Sequence, residues 1–171
     1  MRAGAWFVVG LIIGFCILFP LAMYLYVRLG FLSLSTTAQP LPGEQFLANT
    51  ALHESVGNSK DVPDPLPVND DNLAAGAKQY KTNCAVCHGL PGQPKTAIAA
   101  GMFPRPPQLF NGEGVTDDPE GVTYWKLTHG IRLSGMPGFQ TTLSDTGRWQ
   151  VTMLLKHADA LPPAAKSALA P

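Results

Sequence analysis

The sequence predicts an all-α protein: one long N-terminal helix, a proline-rich linker and a small helical domain. Three observations lead there. Trp6 to Val27 is an uncharged apolar run, apolar residues after Asn69 recur at helical intervals, and no stretch alternates apolar and polar residues with the period a half-buried strand needs. At 171 residues the chain has room for one ordinary domain plus appendages.

The first element, residues 6–27, is long enough at about 1.5 Å per residue to cross a hydrocarbon core of roughly 30 Å. It reads as a single transmembrane helix placing the lipid bilayer among the chain's partners, with residues 1–5 before it. A cleaved secretory signal competes, because Arg2 followed by an apolar run resembles its opening. Such a signal has an apolar stretch of only about 7–15 residues, and the nearest small-x-small site, Thr36-Thr37-Ala38, lies well beyond the run. Phe15-Cys16 also lacks the small residue expected before a lipoprotein cysteine. A retained anchor is therefore expected, kinked at Pro20 and flanked by the interfacial aromatics Trp6, Tyr24 and Tyr26. Arg2 and Arg28 balance one another, so flanking charge does not orient it.

Residues 28–70 read as a tether, punctuated by Pro40, Pro42, Pro63, Pro65 and Pro67. Inside it a short helix near 44–56 would align Phe46, Leu47, Thr50, Ala51 and Leu52, to rest on the membrane or the domain, or to dock a partner subunit. The domain is expected over 71–161. Its first helix starts at the Asn69-Asp70-Asp71 caps and carries Leu73, Ala77, Tyr80 and Cys84 on one face. A second follows Asp118 as cap and Pro119 as first residue and ends at His129-Gly130. A third starts after Ser144, carries Trp149, Met153 and Leu154, and closes near Leu161-Pro162-Pro163. Residues 162–171 read as a C-terminal tail.

The chemistry enters at Cys84-Ala85-Val86-Cys87-His88. Two thiols at this spacing can each take up one vinyl group of a haem, leaving the adjacent imidazole to bind iron from below. A thioredoxin-type dithiol is the first rival, but it needs a helix beginning at the first cysteine, and here the helical pattern precedes the motif. A zinc site is the second. It needs two more close ligands, whereas Cys16 lies in the apolar run and His129 and His157 are distant. The expected cofactor is one haem c, covalently bound through Cys84 and Cys87, with His88 as an axial ligand. Such a group also gives a core to a domain whose connecting segments are rich in Gly and Pro.

An electron carrier keeps six ligands on its iron. Met136, in Leu133-Ser134-Gly135-Met136-Pro137-Gly138-Phe139, is the expected sixth: glycines let the chain loop over the far face, and a thioether is a soft ligand. It stands 48 residues after His88, enough to pass around the ring, while Met102 stands 14 after it and is expected on the His88 side. Met153 reads as core. His129 is the competing ligand, although its place at a helix C-terminus also suits the dipole. In Pro104-Arg105-Pro106-Pro107-Gln108-Leu109, Pro106 or its neighbour is expected to offer the carbonyl that orients His88, with Arg105 free for a propionate or solvent. A plain surface polyproline segment is the alternative. Val86, Leu90, Met102, Leu109, Phe110, Trp125, Leu127, Ile131 and Phe139 are expected to wall the pocket.

Taken together, these residues resemble a mono-haem class I cytochrome c carrying an N-terminal membrane anchor. The resemblance covers about Asn72 to Ala160: Gly76 and Tyr80 before the haem motif, Pro106 to Leu109, Gly130-Ile131-Arg132 leading to Gly135-Met136-Pro137, and the last helix with Trp149. It implies a fold in which first and last helices cross, with Gly76 permitting close approach while Tyr80, Trp149 and Met153 fill around it. It also implies one-electron transfer rather than enzymatic turnover, between redox protein partners of a respiratory or photosynthetic chain, within a hetero-oligomeric complex. Haem attachment in such proteins occurs on the outer side of a bacterial inner membrane, which places the domain in the periplasm and the N-terminus in the cytoplasm. Residues 33–70 exceed the family's minimal pattern. A haem enzyme or gas sensor, if the sixth position is open, and a structural subunit remain alternatives. All 12 acidic residues follow Arg28, against ten basic ones, which leaves this portion near −2, or about −4 with two propionates, and excludes nucleic acid as a partner.

Overall fold

The computed structural model describes residues 2–171, with side chains from residue 4 onward. Among the described residues every regular element is helical and no strand forms. The chain divides into two compact units, one ending at Gln39 and one spanning Pro40–Pro171.

The first unit is built on α1, Arg2–Arg28. Its window Gly4–Arg28 has a mean hydropathy of 2.5 and none of it is buried, so its apolar side chains face outward all round. That is the character of a helix long and apolar enough to cross a membrane. The α-helix runs on through Pro20.

The second unit holds α2 (Glu44–Val56), a 3₁₀ turn (Gly57–Asp61), α3 (Asp70–Asn83), α4 (Ala85–His88), α5 (Ala97–Gly101), α6 (Glu120–His129), α7 (Asp145–Lys156) and α8 (Pro163–Leu169). Its centre is the crossing of α3 and α7, with α8 laid on α3. Asn69 caps α3 by accepting the Asn72 N–H at 2.8 Å, and Leu73, Gly76, Ala77 and Tyr80 then repeat along one buried face. A Cβ on Gly76 would overlap the carbonyl of Gln150, so the two backbones meet at a distance only glycine allows. Tyr80, Val151, Met153, Leu154 and Trp149 are buried around this crossing, as the resemblance implied.

Three boundaries differ from the sequence reading. Residues 162–171 are not a loose tail: Pro163 opens α8, whose Ala165 and Leu169 are buried, and the Lys81 ammonium donates to the Ala170 carbonyl. Pro is compatible with a helix start because its missing N–H has no partner there. The expected cap at Asp118 does not form. Instead α6 begins at Glu120 with no side-chain cap, and the Asp118 carboxylate faces Lys126 at 3.8 Å. Finally, the stretch 28–70 is not free chain throughout. Helix α2 forms where expected, yet Phe46 and Leu47 are 72% and 67% exposed, and only Val56 is buried. From there the chain lies on α6: a Cβ on Gly121 would overlap the Ser59 carbonyl, and the Asp64 N–H donates to Glu120 Oε2 at 3.0 Å.

Candidate haem centre

Helix α3 delivers the two thiols. Cys84 closes α3 in helical conformation, its N–H donating to the Tyr80 carbonyl, and its own carbonyl accepts the N–H groups of Cys87 and His88 at 3.1 and 2.9 Å. One turn of helix therefore carries Cys84, Cys87 and His88 in fixed relation. Burial, reinforced by the nearby Cys87, pushes the Cys84 thiol up to about 12. It stays protonated, unlike the low-pKa thiolate of a redox-active dithiol. Among the described residues no cluster of three or more His, Cys, Asp or Glu is arranged to hold a metal ion.

His88 is oriented by the carbonyl of Pro107, the neighbour of Pro106. The distance from His88 Nδ1 to the Pro107 oxygen is 2.9 Å. Because a carbonyl only accepts, Nδ1 carries the proton and Nε2 keeps its lone pair for a metal. Burial lowers the imidazole's pKa, partly opposed by the Pro107 bond, and so favours the neutral ligand form. The Pro106 carbonyl is engaged elsewhere, accepting from Gln108 Nε2 at 3.2 Å.

Gln108 is the residue on this side that sequence reading missed. It is buried, and its amide also donates to the Cys87 carbonyl at 3.0 Å, tying the proline loop to the thiol-bearing turn. A Cβ on Gly89 would come within 2.6 Å of Gln108 Oε1, so glycine there makes room for it. Tyr80, whose burial raises its pKa strongly and keeps it a donor, hydrogen-bonds the Gly89 carbonyl at 2.8 Å. Thr96 Oγ1 donates to the Val86 carbonyl at 2.6 Å, and Asn111 holds the Leu90 and Gln93 carbonyls. Polar side chains spread over thirty residues carry no periodic signal, which is why only Tyr80 was anticipated, and then as apolar filling.

Met136 stands on a loop held by its backbone. The Ile131 N–H donates to the Met136 carbonyl at 3.1 Å, forming the bridge between these two residues. Ser134 Oγ donates to the Ile131 carbonyl at 2.7 Å and accepts the Met136 N–H at 3.3 Å. Beyond it, the Phe139 and Gln140 N–H groups donate to the Leu127 and Thr128 carbonyls at 2.8 and 3.2 Å, stitching the loop to the end of α6. Gly130 has φ +69°, and a Cβ on it would lie 2.5 Å from the Gly138 nitrogen and 2.7 Å from the Met136 oxygen. Leu133 takes φ 64° and is 92% exposed, an unusual conformation for a branched apolar residue.

Met136, Phe139, Leu90 and Phe110 are partly buried against the core that includes Leu109 and Leu127. Phe110 meets Tyr80 edge to face at 5.0 Å. Ile131 is half-buried beside Met136, and Val86 is exposed. Met102 departs from expectation. Its Cε lies 2.8 Å from where a Gly135 Cβ would be, so it is packed at the Met136 loop rather than confined to the His88 side. Arg105 is exposed, Trp125 is half-buried, and His129 is exposed with its ring 4.9 Å from that of Trp125. The residues present suit a haem: two adjacent thiols, a neutral imidazole with one nitrogen free, and a thioether on a fixed loop.

Residues 71–153 match the family model described as Cytochrome C oxidase, cbb3-type, subunit III. No curated protein matches the chain. This segment, with its helical fold and its Cys84-Ala85-Val86-Cys87-His88 turn, is similar to the cytochrome c domain of that family, which binds covalent haem c, and with the apolar helix ahead of it the chain fits a membrane-anchored mono-haem c-type cytochrome.

Proposed function

We propose that this protein is a one-electron carrier rather than an enzyme in its own right, passing electrons between partners of a respiratory or photosynthetic chain as a subunit of a larger membrane complex. When bound, haem c supplies a reversible one-electron couple. Cys84 and Cys87 would hold it by thioether bonds, and His88 and Met136 would supply a nitrogen and a sulfur to its iron. Pro107 fixes the His88 ring and leaves its Nε2 free for the iron, and the Gly130–Gly138 loop fixes Met136 as the thioether that would bind it. Phe139, Leu109, Ile131 and Trp125 exclude water, while Arg105 stays at the surface for a propionate. The observation that carries this reading is the multiply bonded Met136 loop, because a fixed thioether closes the position that oxygen, peroxide or carbon monoxide would need.

Helix α1 restrains the domain to a membrane surface and raises its effective concentration near partners there. Because thioether formation in such proteins takes place outside the cytoplasm, the domain is assigned to the periplasmic side of a bacterial inner membrane. We assign residues 6–27 to the membrane and the haem domain to the remainder from about residue 71.

The test is an optical redox titration of the detergent-solubilised protein. A single one-electron transition, with a methionine-to-iron charge-transfer band in the oxidised form, is expected. A high-spin oxidised spectrum without that band overturns the closed-site reading. Subunits that co-purify in mild detergent identify the partners, and N-terminal sequencing that begins near Gln39 refutes the anchor.

A further inference from the structure

Among the described residues Arg148 is the most deeply buried cation, and its partners lie on the far side of the Met136 loop. It is 7% exposed. A guanidinium out of water must spend its donors on fixed acceptors. Nη1 donates to the carbonyls of Gln140 at 3.2 Å and Leu143 at 2.6 Å. Nη2 donates to Asp145 Oδ1 at 3.0 Å and to the Tyr124 hydroxyl oxygen at 3.3 Å. The Tyr124 hydroxyl in turn donates to Asp145, and its ring stacks on Trp149 at 3.9 Å. One side chain thus joins α6 through Tyr124, the first turn of α7, and the segment from Gln140 to Leu143.

That segment is the return leg of the ligand loop. Met136 hangs between two attachments: the backbone bonds of residues 127–140 at the end of α6, and the Arg148 fork four to seven residues beyond it. The loop contains three residues with positive φ, Gly130, Leu133 and Gly135, so its shape is not one the chain adopts when released. The α3–α7 crossing, by contrast, is made farther along α7, at Gln150 and Leu154.

We propose that Arg148 is a positioning residue for the sixth ligand: its fork holds the return leg so that the Met136 sulfur stays at the iron. This rests on the reading of Met136 as that ligand. Lysine can keep one of the carbonyl contacts but not the fork, and removing the Tyr124 hydroxyl loosens only one donor.

The experiment follows the methionine-to-iron charge-transfer band and far-ultraviolet helicity during heating of the full-length, haem-loaded protein. In the wild type the two are expected to vanish together. In Arg148→Met the band should fade well before helicity falls, and carbon monoxide should bind the reduced protein at least about tenfold faster, with Arg148→Lys intermediate and Tyr124→Phe closest to wild type. Coincident loss of band and helicity in Arg148→Met, with unchanged carbon monoxide binding, overturns the proposal. Should Arg148→Met fail to fold, Arg148→Lys decides by the same two readouts. A wild type that lacks the band refutes instead the Met136 assignment on which the proposal rests.

Discussion

The two sides of the proposed haem centre, at His88 and at Met136, are held by different means. On the His88 face, side chains do the fastening: Gln108, Tyr80, Thr96 and Asn111 each donate to a backbone carbonyl of the turn or its exit, and the Pro107 carbonyl accepts the imidazole N–H. On the Met136 face, backbone meets backbone at glycines whose missing Cβ makes the approach possible, and the side chains of Ser134 and Arg148 add bonds to the loop and its return leg. The first face is therefore weakened by removing atoms. The second is weakened by adding them at its glycines, and by removing the Arg148 fork beyond them.

The largest expected effect lies upstream of this contrast. Cys84→Ser with Cys87→Ser leaves His88 and Met136 in place but abolishes covalent attachment, seen as loss of haem staining after denaturing electrophoresis; retained stain refutes the motif's role. Next is Gly130→Ala, which puts a methyl group against Gly138 and Met136 at a positive φ and costs about 1–3 kcal/mol of local stability. The charge-transfer band should be lost while haem staining and the bond from His88 to Pro107 persist. If staining disappears as well, the two faces are not separable. Gln108→Ala is the counterpart on the His88 face. It deletes donors to Cys87 and Pro106 for about 1–3 kcal/mol, and should lower the thermal midpoint and shift the reduction potential while sparing the band. A band lost in Gln108→Ala contradicts the division of labour.

The smallest effect is a control at a site belonging to neither face. Asp64 is held above its ordinary value of 3.8 by burial, with Glu120 adding to the rise and the Leu66 N–H and His157 opposing it. A carboxyl whose folded pKa is raised destabilises the fold once ionised. That cost is complete above the folded pKa, begins to be relieved as pH falls through it, and is gone below the unfolded value. Asp64→Asn keeps an acceptor for the Leu66 N–H. It should raise the thermal midpoint at pH 7, with the gain shrinking toward zero near pH 4, and leave the haem spectrum unchanged. A gain that grows on acidification contradicts the sign of the shift.

The contrast also explains what the sequence made legible. The thiols and imidazole were readable because chemistry fixes their spacing, and α3 and α7 because burial repeats every three or four residues. Gly76 was readable as a contact residue only through the resemblance, which implies that the first and last helices cross there. Gln108 and Arg148 were not: each works by reaching backbone carbonyls outside its own helical or loop pattern, and nothing in local pattern marks which polar side chain will be buried. Met102 was placed by counting residues from His88, a measure that does not see where its long side chain packs, at Gly135 of the Met136 loop. The C-terminal helix was hidden by Pro162 and Pro163, which signal a stop to the preceding helix and the start of another equally well.

The central claim is that the iron position facing His88 is closed by Met136. Carbon monoxide titration of the reduced protein, wild type beside Met136→Ala, tests it most directly. The account predicts that wild type leaves carbon monoxide unbound and that Met136→Ala binds it stoichiometrically with a shifted Soret band. Binding by the wild type, or refusal by Met136→Ala, would contradict it.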